Sequence, residues 1–196
     1  MSNPVQIANL ALSWMGQNQI NSFTDNQNEA IIMNANYALA RDKVLNDAAW
    51  TFALKRETLS PIVDAPVFGA GNKFLIPNNV LRVYRVYRAS NTAQADLFTS
   101  AKWVREGQYI ISNADVLWAH FIMRVTDSAL FPPSFVHALA ARMAADTAIV
   151  FTENIKLEEK MEAKYEAKLS EAMYADGSQG RTEVIKSSRL TGARTR

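Results

Sequence analysis

Where the helix breakers fall constrains this chain most. From Asn26 to Lys55 there is no proline or glycine, and Ile31, Ala35, Ala38, Leu45, Ala49 and Phe52 recur at the three-, four- and seven-residue spacings of one helical face. Pro61, Pro66, Gly69, Gly71 and Pro77 then crowd a short stretch. β-Branched and aromatic residues accumulate after it in VLRVYRVYR (80–88), WVREGQYII (103–111) and VLWAHFIMRV (116–125). Pro132 and Pro133 open a second helical run, which Gly177 closes. The pattern predicts a mainly α fold: a bundle of about four helices with an inserted small antiparallel β module. The divisions are a first helical half (1–59), the β-rich insertion (60–128), a second helical half (129–176) and an extended basic tail (177–196).

Local signals sharpen this outline. A short helix from Asn3 to Met15 should stop at Gly16, and Asp25 is placed to cap the helix after the polar stretch 17–28. Phe52 is expected in the core, with Trp50 packed under the segment C-terminal to it. Glu106 and Gly107 suggest a hairpin turn. In the second half, Phe135, Val136, Leu139, Ala140, Met143, Thr147 and Val150 are compatible with a buried face.

The 196 residues, 48% apolar, are enough for one core. No apolar run approaches the ~20 residues of a bilayer-crossing helix, and the opening MSNPVQIANLALSW lacks a basic start and a small-residue cleavage site. The expectation is a soluble protein made in a cytoplasm, without a membrane anchor. The absence of cysteine removes disulfides, thiolate nucleophiles and cysteine-bound zinc. The net charge of +2 is uneven: Arg181, Lys186, Arg189, Arg194 and Arg196 face only Glu183 within 177–196, leaving a slightly acidic body. One basic strap on such a body fits either a nucleic-acid arm or a tether to an acidic protein groove.

The segment NIKLEEKMEAKYEAKLSEAMYA carries three rows on one helix. Leu157, Met161, Tyr165 and Leu169 make an apolar row. Lys156, Lys160, Lys164 and Lys168 lie about 100° to one side, with Glu158, Glu162 and Glu166 about 100° to the other. The plain reading is a solvated helix whose charges flank a buried seam. The sharper reading places both charged rows at contacts between successive copies, because a closed ring joins two different patches of one chain.

Catalytic chemistry finds little support. His120 sits in a strand pattern between Trp118 and Ile122, His137 opens a helix beside Phe135 and Val136, and neither belongs to a metal-ligand motif. Glycine-rich phosphate loops are absent from the sequence. Glu57, Asp64, Asp96 and Glu106 are acids in or near the insertion, with nothing to pair them for glycosidic cleavage. No catalytic residue, cofactor or metal is expected. Tyr84, Tyr87, Phe98, Trp103 and Tyr109 are able to stack bases beside Arg82, Arg85 and Arg88. Strict alternation, however, puts Arg82, Tyr84, Val86 and Arg88 on one face and Val83, Arg85 and Tyr87 on the other. That split favours a protein-contacting strand.

The order of segments resembles a known family, the head-to-tail adaptors of short-tailed bacteriophages, also called tail tubular protein A. The resemblance rests on ANLALSWMGQNQINSF (8–23), AAWTFALKR (48–56), IPNNVLRVYRV (76–86), DSALFPPSFVHALAARMAADTAIVFTEN (127–154), the YEAKLSEA helix and the terminal SSRLTGARTR. It implies a structural virion protein at the head–tail interface, assembled in the host cytoplasm. Such a protein forms a ring of about twelve copies that joins the portal protein to the tail nozzle protein and lets double-stranded DNA pass without reading its sequence. By segment, the resemblance implies a portal-side strap bearing Arg181, Lys186, Arg189, Arg194 and Arg196. It also implies a nozzle-side module, on which Arg82, Tyr84, Tyr87 and Trp103 are the candidate contacts. The alternative is a virion-associated protein that binds nucleic acid or cleaves cell wall.

Overall fold

A computed structural model describes residues 3–89 and 98–178. Its helices are α1 (Pro4–Met15), α2 (Asn28–Asp47), α3 (Pro133–Thr152) and α4 (Ile155–Gly177). Its strands are β1 (Leu54–Leu59), β2 (Asn72–Leu75), β3 (Val80–Ala89), β4 (Phe98–Ser100), β5 (Val104–Glu106), β6 (Tyr109–Ser112) and β7 (Leu117–Met123). The expectation of a mainly α bundle is thereby corrected: helices and two antiparallel sheets share the molecule as an α and β mix. The basic tail from 179 onward, with its five cations, and Asp96 lie outside the described residues.

In the helical half α3 is central, packing against α1, α2 and α4. Its alanines Ala138, Ala140, Ala141, Ala144, Ala145 and Ala148 are buried and let neighbouring helices approach closely. Against the expectation that no run is long enough, α3 has the length and mean hydropathy of a bilayer-crossing helix. Here it serves as a core helix. Val150, expected inside, is exposed. α1 obeys its sequence signals: the side chain of Asn3 accepts from Val5 N–H, Gln6 accepts from the Asn3 N–H, and Gly16 ends the helix at φ +70°. Asp25 does not cap α2; its carboxylate accepts from the N–H groups of Asn21 and Ser22 and ties up the loop.

α2 departs most from expectation. It stops at Asp47, where Ala48 turns extended, although no glycine or proline marks the place. Tertiary bonds end it instead. Trp50, 1% exposed, donates from Nε1 to the Val44 carbonyl at 2.8 Å, satisfying one of the acceptors a helix C-terminus leaves open. Asp176 at the end of α4 then accepts from the Thr51 N–H at 2.9 Å and from its hydroxyl at 2.7 Å. Both aromatics meet the core, with Trp50 the deeper of the two against expectation: it lies edge-on to Phe135 at 5.1 Å, and Phe52 packs half-buried against the same ring at 5.0 Å. With the chain held extended, Leu54–Leu59 pairs antiparallel with β7 as an edge strand.

One sheet runs β1-β7-β3-β4 and the other β2-β6-β5. They share a second apolar cluster that includes Phe74, Val83, Val86, Ile110, Leu117 and Phe121. Gly107, at φ +59°, takes the first position of the two-residue β5–β6 turn, where a left-handed conformation favours glycine. The turn lies one residue later than Glu106–Gly107. Ile122 points to the opposite face of β7 and joins the helical core, and Arg124 pairs with Asp42 of α2 at 2.7 Å. These contacts fix the sheet on the helices.

β3 does not alternate simply. Its register against β7 shifts between Val80 and Arg82 and again between Val83 and Arg85. Each bulge inserts one residue and resets which face the subsequent side chains take. Val83 and Val86, three apart, therefore both enter the inter-sheet cluster.

Candidate functional site

One face of the sheet gathers Arg85 and Tyr87, which strict alternation already places together, with Arg82, which the bulge at Tyr84 brings to their side. Arg56 of β1 and Arg85 of β3 both register against His120 of β7, and in the next row Thr58 and Tyr87 both register against Trp118. A concave pocket of about 410 Å3 opens here, lined by Arg56, Glu57, Thr58, Tyr87, Trp118 and His120. Tyr87 meets His120 edge-on at 5.4 Å, and Arg85 lies over the Tyr84 ring at 5.0 Å. Burial, and then the charges of Arg56 and Arg85, hold the His120 imidazole below the ordinary histidine value. It is thus neutral at pH 7. An NMR titration should place the His120 midpoint below that of a free histidine, and Arg56→Ser should move it back up. Because an unfolded His120 takes up a proton more readily, this group's contribution to stability declines as pH falls through the ordinary histidine range.

The four candidate nozzle contacts do not share one surface. Arg82 registers against Ile122, on the same side of β7 as His120. Its Nε is buried and meets no hydrogen-bond partner among the described residues. Tyr84 occupies the second bulge and is exposed, Tyr87 lies in the open pocket, and Trp103 packs against the inter-sheet cluster. Of the acids considered for cleavage, Glu57 is paired with Lys55 at 2.5 Å and Asp64 with Lys73 at 3.1 Å, while Glu106 sits on the exposed β5–β6 hairpin. No cluster of metal-ligating side chains occurs among the described residues.

α4 buries Met161 and Tyr165 of its apolar row, and part of each charged row is engaged within the chain. Lys164 caps the Trp14 ring at 3.6 Å, Lys168 pairs with Glu171 at 2.7 Å, and Glu162 meets Arg142 at 3.2 Å. Arg142 also pairs with Asp146. Lys156, Lys160 and Glu166 are exposed, and Glu158 is half-buried.

A surface that periodicity assigns to the core lies outside. Ile31 and Leu39 of α2 keep 59% and 71% of their surface, and Ala35 and Ala38 between them are exposed. The residues α2 buries are Ala30, Met33, Ala40, Arg41, Val44 and Leu45. The helix is apolar on two sides, one of them uncovered. On α4 the outward stripe Ala163, Ala167, Ser170 and Tyr174 is also exposed, Tyr174 at 82%. A third apolar patch is the tip of the β1–β2 connection, where Val67 and Phe68 are almost fully exposed while Gly71 N–H is anchored on Asn113 Oδ1 at 2.7 Å. No protein-family model matches the chain, and no curated protein matches it.

Proposed function

We propose that the chain is a structural virion protein: a ring-forming head-to-tail connector of about twelve copies that joins the portal to the tail nozzle and leaves a passage for DNA during ejection. The observation that carries the assembly reading is the uncovered face of α2. A row of Ile31, Ala35, Ala38 and Leu39 on a helix already buried along its other side is costly in water and favours a protein neighbour. The outer stripe of α4 is a second, different patch, and joining unlike patches head to tail closes rings instead of two-fold dimers. Virion, portal and nozzle come from the family resemblance carried by segments such as 8–23, 48–56 and 127–154. In this reading the Lys156–Lys168 and Glu158–Glu166 rows border the contact between copies, with Lys156 and Lys160 free to reach a neighbour.

The test is co-sedimentation with a portal ring. Deleting residues 179–196 should abolish binding to the portal while leaving the mass of the chain's own assembly unchanged. A truncated chain that docks as well as the full one would remove the tail from its assigned role. The nucleic-acid alternative is favoured by one observation, the arginine and aromatic rows of the open sheet face.

A further inference from the structure

The face formed by β1, β7 and β3 combines two features. The row Arg56–His120–Arg85 sets two guanidinium groups on either side of one imidazole, with no carboxylate in the same cross-strand row. β7 separates the two arginine strands, so the guanidinium groups flank the imidazole from either side without facing each other directly. One step along the strands, ~6.6 Å away, the row Thr58–Trp118–Tyr87 supplies aromatic surface. The pocket of about 410 Å3 takes in Arg56 and His120 of the first row and all of the second, with Arg85 outside its lining. Its one carboxylate, Glu57, is paired with Lys55, and its volume falls in the range that holds a small ligand.

We infer that this open face is a nucleotide-binding site, which takes a phosphate on the Arg56–His120–Arg85 row and stacks the attached base against Trp118 and Tyr87. Guanidinium groups recognise phosphate through charge-assisted hydrogen bonds. Aromatic side chains accept any base by its π-face, which makes such a site tolerant of sequence. The neutral His120 adds a ring nitrogen able to donate to a phosphate oxygen without adding a third charge to the row. Duplex DNA keeps its bases stacked inside, so the aromatic row distinguishes an unpaired nucleotide from a duplex. An acidic peptide would use the arginine row and leave the aromatic row idle. Arg85 and Tyr87, two residues apart on β3, share this face with no register shift between them, and the bulge at Tyr84 brings Arg82 to the same side of the sheet.

The experiment is fluorescence anisotropy of a labelled oligothymidylate against the full chain at low salt. Binding is expected to weaken with rising salt. Replacing both exposed arginines (Arg56→Ser with Arg85→Ser) should weaken it by tenfold or more, and Trp118→Leu by about tenfold. Arg88→Ser, on the other face of β3, should leave it unchanged. Because the tail is itself basic, the same comparison is made in a chain lacking residues 179–196, where the dependence on Arg56 and Arg85 must persist. Thymidine monophosphate competing as strongly as the oligomer assigns the site to a free nucleotide, and weaker competition assigns it to a strand. The proposal is overturned if neither binds, if the double arginine variant binds like the wild type, or if duplex DNA or oligoglutamate binds as tightly as the oligothymidylate.

Discussion

Trp50→Ala should lower the free energy of unfolding by about 3–5 kcal/mol in a denaturant titration, a large share of the ~5–15 kcal/mol that holds a typical domain together. Three losses combine at this residue. The indole is 1% exposed and packs edge-on against Phe135 at 5.1 Å, so its removal leaves a cavity in the centre of the helical core. Its Nε1 supplies the hydrogen bond to the Val44 carbonyl, which would be left open at the end of α2. The same turn positions Thr51 for Asp176 and starts β1 on its path along β7. Phe52→Ala, at a half-buried ring, should cost clearly less. If Phe52→Ala proves the more damaging of the two, this account of how α2 ends is wrong.

The second large effect concerns assembly and spares stability. Ile31→Glu combined with Leu39→Glu should convert the proposed ring to monomer in sedimentation, with the thermal midpoint within a few degrees of the wild type. Both side chains point outward from α2, so glutamate there costs the isolated chain little. Buried between copies, the same two charges would each lose hydration without a partner, a penalty large enough to abolish a contact. Reversing the four lysines of α4 is a less selective test. Lys164 over Trp14 and Lys168 on Glu171 already act within the chain, so their reversal would disturb folding as well as assembly.

How much of the fold is legible in the sequence depends on how local each signal is. The ends of α1 are readable because Asn3, Gln6, Pro4 and Gly16 carry capping chemistry within a few residues of where it acts. The β-rich texture after Leu59 is readable for the same reason. The end of α2 is not, since Trp50, Thr51 and Asp176 stop it through contacts that reach as far as α4. Leu54 and Lys55, the start of β1, consequently pass for the end of a helix, 1–59 for a helical half, and the fold for mainly α. Periodicity finds an apolar row on α2 but has no means of telling a covered row from an uncovered one, so it sends Ile31, Ala35 and Ala38 inward. The open sheet face is half legible: alternation joins Arg85 and Tyr87, but Arg56 and Thr58 come from β1, inside the expected helical half, and no residue type announces the insertion at Tyr84 that brings Arg82 to the same side.

The measurement that bears most directly on the central claim is the native mass of the purified full chain over a range of concentrations. Assembly through unlike patches predicts one dominant species of many copies with no stable dimer on the way, and the family resemblance implies about twelve. A chain that stays monomeric at every concentration, or stops at a dimer, would contradict it.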